Sequence, residues 1–322
     1  MLPFFKCNVA KNSNCNQHMF TSYSDFLVAE YHSLAEINWE EAMSADMVCI
    51  HEFLPGGIYH SKYTRWKNIL NPNKNALEEI KSKIERKAVQ KNSALLEALG
   101  FRVAVVEMTE SLYYEFSRLY QETVLSKPRA IQYSLEDRIL GKMKAGMQVY
   151  CVGLFKGDVL ESGLVFSISK LHEVSVGFGA KKRIDHIRGG VGGVLDYHLL
   201  SFCKDHFINS IDLGKSFNPA GIVTTNGLFE FKARYGNSAF PEGEWVTSYM
   251  LNPDKRLSDL VYVSAIDTQI GYLVASDDQS DNIINRYQTK SIKKVFKIPI
   301  SNLSKQTHSF KKMYEEATNI SI

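Results

Sequence analysis

The sequence predicts an α/β (α+β) fold: a mixed central sheet flanked by helices, with an N-terminal partial lobe and a C-terminal extension. Three observations predict it. Between residues 101 and 251, β-branched and aromatic runs alternate with amphipathic stretches, but not as a regular strand-helix repeat. The tight turn Lys156-Gly157-Asp158 joins two strand-like runs, which suggests an antiparallel hairpin. A chain of 322 residues that is 44% hydrophobic, with 18 Phe and 16 Tyr, can bury an ordinary globular core.

The elements follow in order. Residues 1–94, the N-terminal lobe and linker helix, alternate short helical and strand-like pieces, broken by LPGG at 54–57 and NPNKN at 71–75. Asn75 to Gly100 reads as one long charged helix closed by a glycine, with Leu77, Ile80, Ile84, Val89, Leu95, Leu96 and Leu99 apolar and a lysine-rich solvated face. In the central domain, 95–251, FRVAVVEM is a strand. ESLYYEFSRLYQETVLSK is a helix opened by Thr109 and closed before Pro128, and SLEDRILGKMKAG is a second helix stopped by Gly146. The strands MQVYCVGLF, DVLESGLVFSIS and KLHEVSVGFGA follow. After the basic loop KKRIDHIRGG comes a third helix, residues 191–206, whose Val191, Val194, Leu195, Leu199, Phe202 and Cys203 form one apolar face that must pack on a sheet. Strand INSIDLG, the short helix GLFEFKARYG and strand EWVTSYML complete the domain. The extension, 252–322, adds two or three strands and a final helix that could complete the sheet, cap the acceptor cleft or make a homodimer contact.

Composition excludes several classes. Thirty-eight basic against 35 acidic residues leave +3, too little for a DNA partner by charge alone. No apolar run is long enough to span a bilayer and the first residues do not form a signal peptide, so a soluble, cytoplasmic protein is expected. The five cysteines are odd in number, scattered and never spaced as CxxC, which suggests reduced thiols with neither disulfides nor zinc. The histidines lack HxxxH or HExxH spacing, so no metal is expected, and no GxSxG elbow supports a hydrolase.

Chemistry concentrates in HIRGGVGGVLDYHLL, residues 186–200. Glycines at a loop-to-helix junction leave backbone amides and the positive end of the helix dipole free to cradle a phosphate or pyrophosphate, and Lys181, Lys182, Arg183 and Arg188 lie beside it. Neither a P-loop nor a dinucleotide fingerprint is present, because no Gly-Lys-Ser/Thr ends the run and Leu195 fills the last glycine position. In the preceding strand, Gly177 and Gly179 mark a bulge, a close approach of ligand or backbone, or relief of sheet curvature. His172 and Glu173 alternate, so at most one of them faces a given site.

The order of elements, the glycine-containing start of the third helix, IDLGKS at 211–216 and GLFEFKARYG at 227–236 together resemble the GNAT superfamily of acyltransferases, in its FemAB-like branch (the type of BioF2-like proteins), over about residues 90–250. Gly190 and Gly192 match the superfamily's phosphate motif, while Ile187 stands where its first Arg or Gln would be. The resemblance implies an N-acyltransferase that moves an acyl group, acetyl being the simplest, from acyl-coenzyme A (acetyl-CoA) to an amine on an amino sugar, amino acid or peptide-like acceptor. It further implies that Arg188, Gly189, Gly190, Val191, Gly192 and Gly193 hold the donor pyrophosphate. Val176, Gly177 and Phe178 would line the pantetheine arm, and an amide there could polarise the acyl carbonyl. Glu173 would be the base, Tyr235 the acid, and Lys232 the cation that holds substrate or stabilises developing charge. Lys215, Ser216 and Asn218 would contact the acceptor, and Asp212 would cap neighbouring backbone. Two alternatives stay open. One is an aminoacyl-tRNA-dependent transferase, disfavoured because about 95 residues look short for a second lobe; the other is a non-catalytic binding or scaffold protein.

Overall fold

A computed structural model describes residues 19–126, 129, 133–169, 171–187, 190–266, 269–278, 282–289 and 291–318. Among them, four strands precede the central domain: β1 (Met19–Tyr23), β2 (Phe26–Tyr31), β3 (Met47–Ile50) and the long β4 (Ile58–Ile69), with α1 (Trp39–Ser44) between β2 and β3. The expected long helix is two. Asn75 and Glu78 form a reciprocal capping box that starts α2 (Ala76–Glu79), the chain turns at buried Ile80, and Ser82 caps α3 (Lys83–Ala98). The second piece ends as read, with Gly100 at φ +78°. Val89 and Leu96 bury its inner face, so α3 belongs to the core rather than to a free linker.

The central part contains β5 (Phe101–Glu107), α4 (Glu110–Leu125), a π-helical turn leading into α5 (Gly141–Lys144), and then β6 (Gln148–Lys156) and β7 (Val159–Ile168). The last two form the expected hairpin, turning at Gly157 with φ +59°. After them come β8 (Glu173–Lys181), α6 (Gly192–Asp205), β9 (Ser210–Phe217), α7 (Gly227–Arg234) and β10 (Ser238–Met250). The extension supplies β11 (Leu260–Ile266), β12 (Gln269–Ala275), α8 (Asn282–Tyr287), β13 (Val295–Ile298) and α9 (Ser301–Thr318). All thirteen strands belong to one mixed sheet, whose main path runs β1-β2-β3-β10-β4-β9-β8-β7-β6-β5. It crosses the expected boundaries at residues 94/95 and 251/252 without a break, because β10 pairs with both β3 and β4 and β11 joins β4 at His60 and Ser264.

Each face of the central sheet has its own core. On one face α2, α3 and α6, with Phe231 and Tyr235 from α7 and its end, cover Val152, Leu154, Leu164, Phe166 and Val174. On the other, Tyr113, Phe116, Leu119 and Tyr120 of α4 cover Val149, Cys151, Val165 and Ala180. Cys49, Cys151 and Cys203 are free and buried. The extension steadies α7: the Phe229 ring contacts Trp66 at 4.8 Å, Tyr272 at 5.1 Å and Tyr287 at 5.8 Å, and the Tyr287 hydroxyl donates to Glu230 at 3.3 Å. Among the described residues no helix is long and apolar enough to cross a membrane.

Candidate active site

Strands β8 and β9 lie parallel but pair over only three residues each, Glu173–Ser175 with Ser210–Asp212. Beyond that point β8 pairs only with β7, and β9 only with β4, so the two separate into a splay. The cause is visible in the register of β8. Phe166 faces Val176 while Val165 faces Phe178, so Gly177 is the extra residue of a β-bulge. A bulge reverses which face the following side chains occupy. Val176 accordingly packs in the core under α6, whereas Phe178 packs on the α4 side. Gly177 itself is exposed at the opening. The residues Val176, Gly177 and Phe178, expected to line a donor, therefore lie on β8 just past the point where its pairing with β9 ends.

The start of α6 lies at the end of β8. Val191, Gly192 and Gly193 are buried there, and Gly190 has φ +78° with open space where a side chain would be. Arg188 and Gly189 lie outside the described residues. The glycines have separate reasons. A Cβ on Gly192 would come within 3.0 Å of Lys181 Nζ, and one on Gly193 within 1.8 Å of the Tyr235 hydroxyl. Gly192 thus lets an ammonium lie along the first turn of the helix, and Gly193 seats a buried phenol against it.

Three ionisable groups converge at this junction: Lys181 at the end of β8, Asp196 one turn into α6, and Lys232 of α7. Lys232 and Asp196 each keep a part of their surface accessible, yet protein atoms surround them closely. Burial pushes the Lys232 ammonium down to about 8, opposed by attraction to Asp196 and reinforced by repulsion from Lys181. Burial likewise raises the Asp196 carboxyl, against the pull of Lys181 and Lys232. Lys232 Nζ rests 5.2 Å from the Trp66 ring and Lys181 Nζ 5.5 Å from the Phe231 ring. Asp196 and Asp212 both attract Lys232, but Asp212 is already paired with Arg65, so two ammoniums and a helix N-terminus face one carboxylate without such a pair. Such a place suits an anion.

Two hollows meet here. A cleft of about 910 Å³ runs along Lys181, Lys182, Arg183, His186 and Gly190–Gly192 to Leu228 and Phe231. A smaller cavity of about 260 Å³ lies behind it between α3, α6 and α7, bordered by Glu85, Asn92, Gly193, Glu230 and Tyr235. Gly190 and Phe231 border both. Tyr235 faces the smaller cavity, and burial, with Asp196 and Glu85 adding to it, raises its phenol so that it stays protonated.

The other expected site residues are dispersed. Glu173 stands at the closed end of the β8–β9 pair, accepting from Lys67 Nζ at 3.2 Å and Ser210 Oγ at 3.1 Å, and borders neither hollow. The structure thus sets Glu173, expected to be the base, where β8 and β9 are still paired. Asn218 is 1% exposed, with its amide NH₂ donating to the Ser61 carbonyl at 2.6 Å and the Val263 carbonyl at 3.1 Å, and its oxygen accepting from Val263 N at 3.0 Å. It is a buried connector and has nothing left for an acceptor. Ser216 accepts from Trp66 Nε1 at 3.1 Å. Lys215 is exposed on the wall of β9. Asp212 receives the Gly214 amide at 2.8 Å, as expected of a backbone cap, and also holds Arg65. Sequence reading missed Asp196 and Trp66. Asp196 carried one signal, a carboxylate interrupting the apolar run from Val194 to Leu200; Trp66 carried none.

No protein-family model matches the chain, and no curated protein is detectably similar to it. Among solved structures it is similar to FemX, at 12% identity over 76% of this chain and 87% of that one, with a TM-score of 0.43. It is also similar to L-PGS from Bacillus licheniformis (12% identity, 72% of this chain and 80% of that one, TM-score 0.40). A third is a tandem GNAT protein from the clavulanic acid biosynthesis pathway (13% identity, 72% and 77%, TM-score 0.37).

Proposed function

We propose that this chain is an N-acyltransferase whose donor is an acyl-coenzyme A, with acetyl-CoA the simplest case. The observation that carries the reading is the coincidence of a β8–β9 splay, bulged at Gly177, with an anion-seeking junction at the end of the same strand. A donor that is phosphorylated at one end and linear at the other fits both: its phosphates on the α6 amides beside Lys181, its thioester in the splay. The amine attacks the thioester carbonyl, an N–C bond forms as the C–S bond breaks, and the amine's proton ends on the thiolate. Holding both partners in the gap supplies part of the acceleration. The Lys232 ammonium offers positive charge to the oxyanion or to the departing thiolate, and the bulged backbone at Gly177 offers a hydrogen-bond donor to the carbonyl. Tyr235, placed against Gly193, holds the helix start and can donate into the smaller cavity.

A specific observation favours a second reading, transfer from aminoacyl-tRNA. The first ~95 residues were the ground for discounting it as too short for a lobe, yet β10–β13 and α9 add to β1–β4 and enlarge that part of the sheet. Calorimetric titration with coenzyme A and acetyl-CoA separates the two, with Gly192→Asp as the control, since it sets a carboxylate against Lys181. Saturable binding by the wild type, lost in a variant of unchanged circular dichroism, supports the first reading. A folded wild type that ignores both compounds overturns it and turns the search to charged tRNA.

A further inference from the structure

The sheet has two faces at the splay, and the donor side, under α6 and α7, accounts for one. The opposite face has a different lining. Tyr63 of β4 and Phe217 of β9 are cross-strand partners, and the Tyr23 ring lies 5.4 Å from Phe217. Lys215, two residues before Phe217 and so on the same face, holds its Nζ 4.3 Å from the centre of the Tyr63 ring. Across the gap the bulge turns Phe178 to this side, where it meets Tyr120 at 5.5 Å and Tyr133 at 6.1 Å. Arg129, only 6% exposed and four residues before Tyr133, is tied to the first strands: it donates to both Asp25 oxygens at 2.5 and 2.9 Å and to the Ile222 and Lys255 carbonyls at 2.9 and 2.6 Å. Tyr133 lies close to Tyr23 and Tyr63, near enough for their charges to interact.

The charges on this side are largely answered. Arg65 is held by Asp212 and Glu242, Glu30 by Lys62 and His51, and Glu244 by His51. Among the described residues Lys215 makes no ion pair. This face of the gap therefore offers aromatic walls and one unanswered ammonium.

Resting on the acyltransferase reading, we infer that the acceptor is an amine carrying an aromatic or apolar body and a carboxylate, the class of aromatic α-amino acids, bound on this face between Phe178 and Phe217 with its carboxylate on Lys215. The aromatic body packs on Tyr63, Phe217 and Tyr23, the carboxylate gains a charge-assisted contact, and the amino group points into the gap toward the thioester. A polyamine has neither a ring to stack nor an anion for Lys215, and the carboxylates that could attract it already have partners. The transfer yields an N-acyl amino acid and free thiol, the amine's proton going to the thiolate.

The test uses the full chain in a thiol-release assay with acetyl-CoA, comparing phenylalanine, phenylalaninamide, glucosamine and putrescine in wild type and Lys215→Met. Phenylalanine is expected to have a KM about tenfold below that of phenylalaninamide, as a charge-assisted contact predicts. Lys215→Met should erase that difference while leaving kcat near wild type. Higher kcat/KM for putrescine or glucosamine, or equal losses for phenylalanine and its amide in the variant, would overturn the inference. Calorimetric titration with phenylalanine and no donor decides it independently of the donor. Saturable binding weakened about tenfold by Lys215→Met upholds the subsite even where coenzyme A fails to bind, and no binding beside a tight coenzyme A isotherm rejects the subsite while sparing the donor site.

Discussion

The two ends of the β8–β9 pair are built from the same strands and treat charge in opposite ways. At the closed end Glu173 is answered by Lys67 and Ser210, and the backbones are paired. At the open end the strands part, and Lys181 and Lys232 both draw on Asp196 beside a helix N-terminus, with Asp212, itself paired with Arg65, adding to the pull on Lys232. A balanced end holds a sheet together; an end with surplus charge and unfilled space carries a stability cost that a bound anion can offset. If that contrast is right, substitutions at the open end should alter binding and rate, and those at the closed end should be nearly silent.

The largest effect is expected from Gly193→Ala. The new methyl would overlap the hydroxyl of Tyr235, a side chain only 3% exposed that cannot swing into solvent. We expect a loss of about 3 kcal/mol in denaturant unfolding, together with loss of donor binding. Gly193→Ala/Tyr235→Phe should recover part of that stability, because the nearest clashing atom is gone while the ring carbon at 2.9 Å remains. Failure of the double variant to recover would mean that the helix start, not the phenol, rejects the methyl.

Lys232→Met comes next, and its two consequences have opposite signs. Activity should fall by about a hundredfold, the scale of losing one preorganised charge. Stability at pH 7 should rise. The folded pKa is depressed from 10.5 to about 8, so at pH 7 the folded state holds a proton that it disfavours relative to the unfolded chain. The wild type accordingly gains stability as pH rises from about 8 to 10.5, where the unfolded chain binds more protons, and the variant lacks that rise. That shift is already net of the attraction to Asp196; discounted for relaxation and water penetration around the charge, it corresponds to a gain of about 1 kcal/mol. Melting curves across this pH range would check both signs, and a destabilised variant at pH 7 would contradict the account of Lys232 as a strained cation.

Asp196→Asn should act through pH rather than through the rate ceiling. If the ammonium of Lys232 is the working form, activity declines as pH rises through about 8. Asp196 raises that value, so its neutralisation should move the decline to lower pH by roughly one unit. A decline that stays in place would show that the two groups act independently. Competitive labelling of lysines against pH reads the same shift without any turnover.

Much of this was legible in the sequence because the deciding signals were local. Gly157 marked the hairpin, Gly100 the end of α3, Gly177 and Gly179 an irregularity of which a bulge was one reading, and the GLFEFKARYG segment put Lys232 on a short helix whose apolar residues anchor it. What was not legible depended on pairing between distant segments. Trp66 meets Lys232 only because β4 lies beside β9 under α7, and nothing around residue 66 announces that contact. The long helix from Asn75 to Gly100 was misread for a different reason: its apolar spacing persists through Ile80, while the capping box at Asn75 and the cap at Ser82 divide it. The partners of Asn218 and Glu173 were hidden for the same reason as that of Trp66, since they come from distant strands: one amide ties β4 to β11, and one carboxylate bonds Lys67 across the sheet.

Glu173→Gln should therefore have the smallest effect. The pair with Lys67 is partly exposed on both sides, at 32% and 36%, and such pairs contribute no more than about 1 kcal/mol. The amide keeps an oxygen for Ser210, so the sheet end should persist, with stability lowered by about 0.5 kcal/mol and kcat within about twofold of wild type. A residue acting as general base would behave otherwise. Its loss would cost a hundredfold or more and would remove the acidic limb of the pH-rate profile, where protonation of the base limits the reaction. Steady-state rates between pH 5 and 9 distinguish the two cases directly. A near-silent variant confirms that the closed end is scaffold and leaves the incoming amine to lose its proton through water or through the thiolate itself. A crippled one would mean that the strands separate further in solution than their pairing implies, bringing Glu173 within reach of the gap.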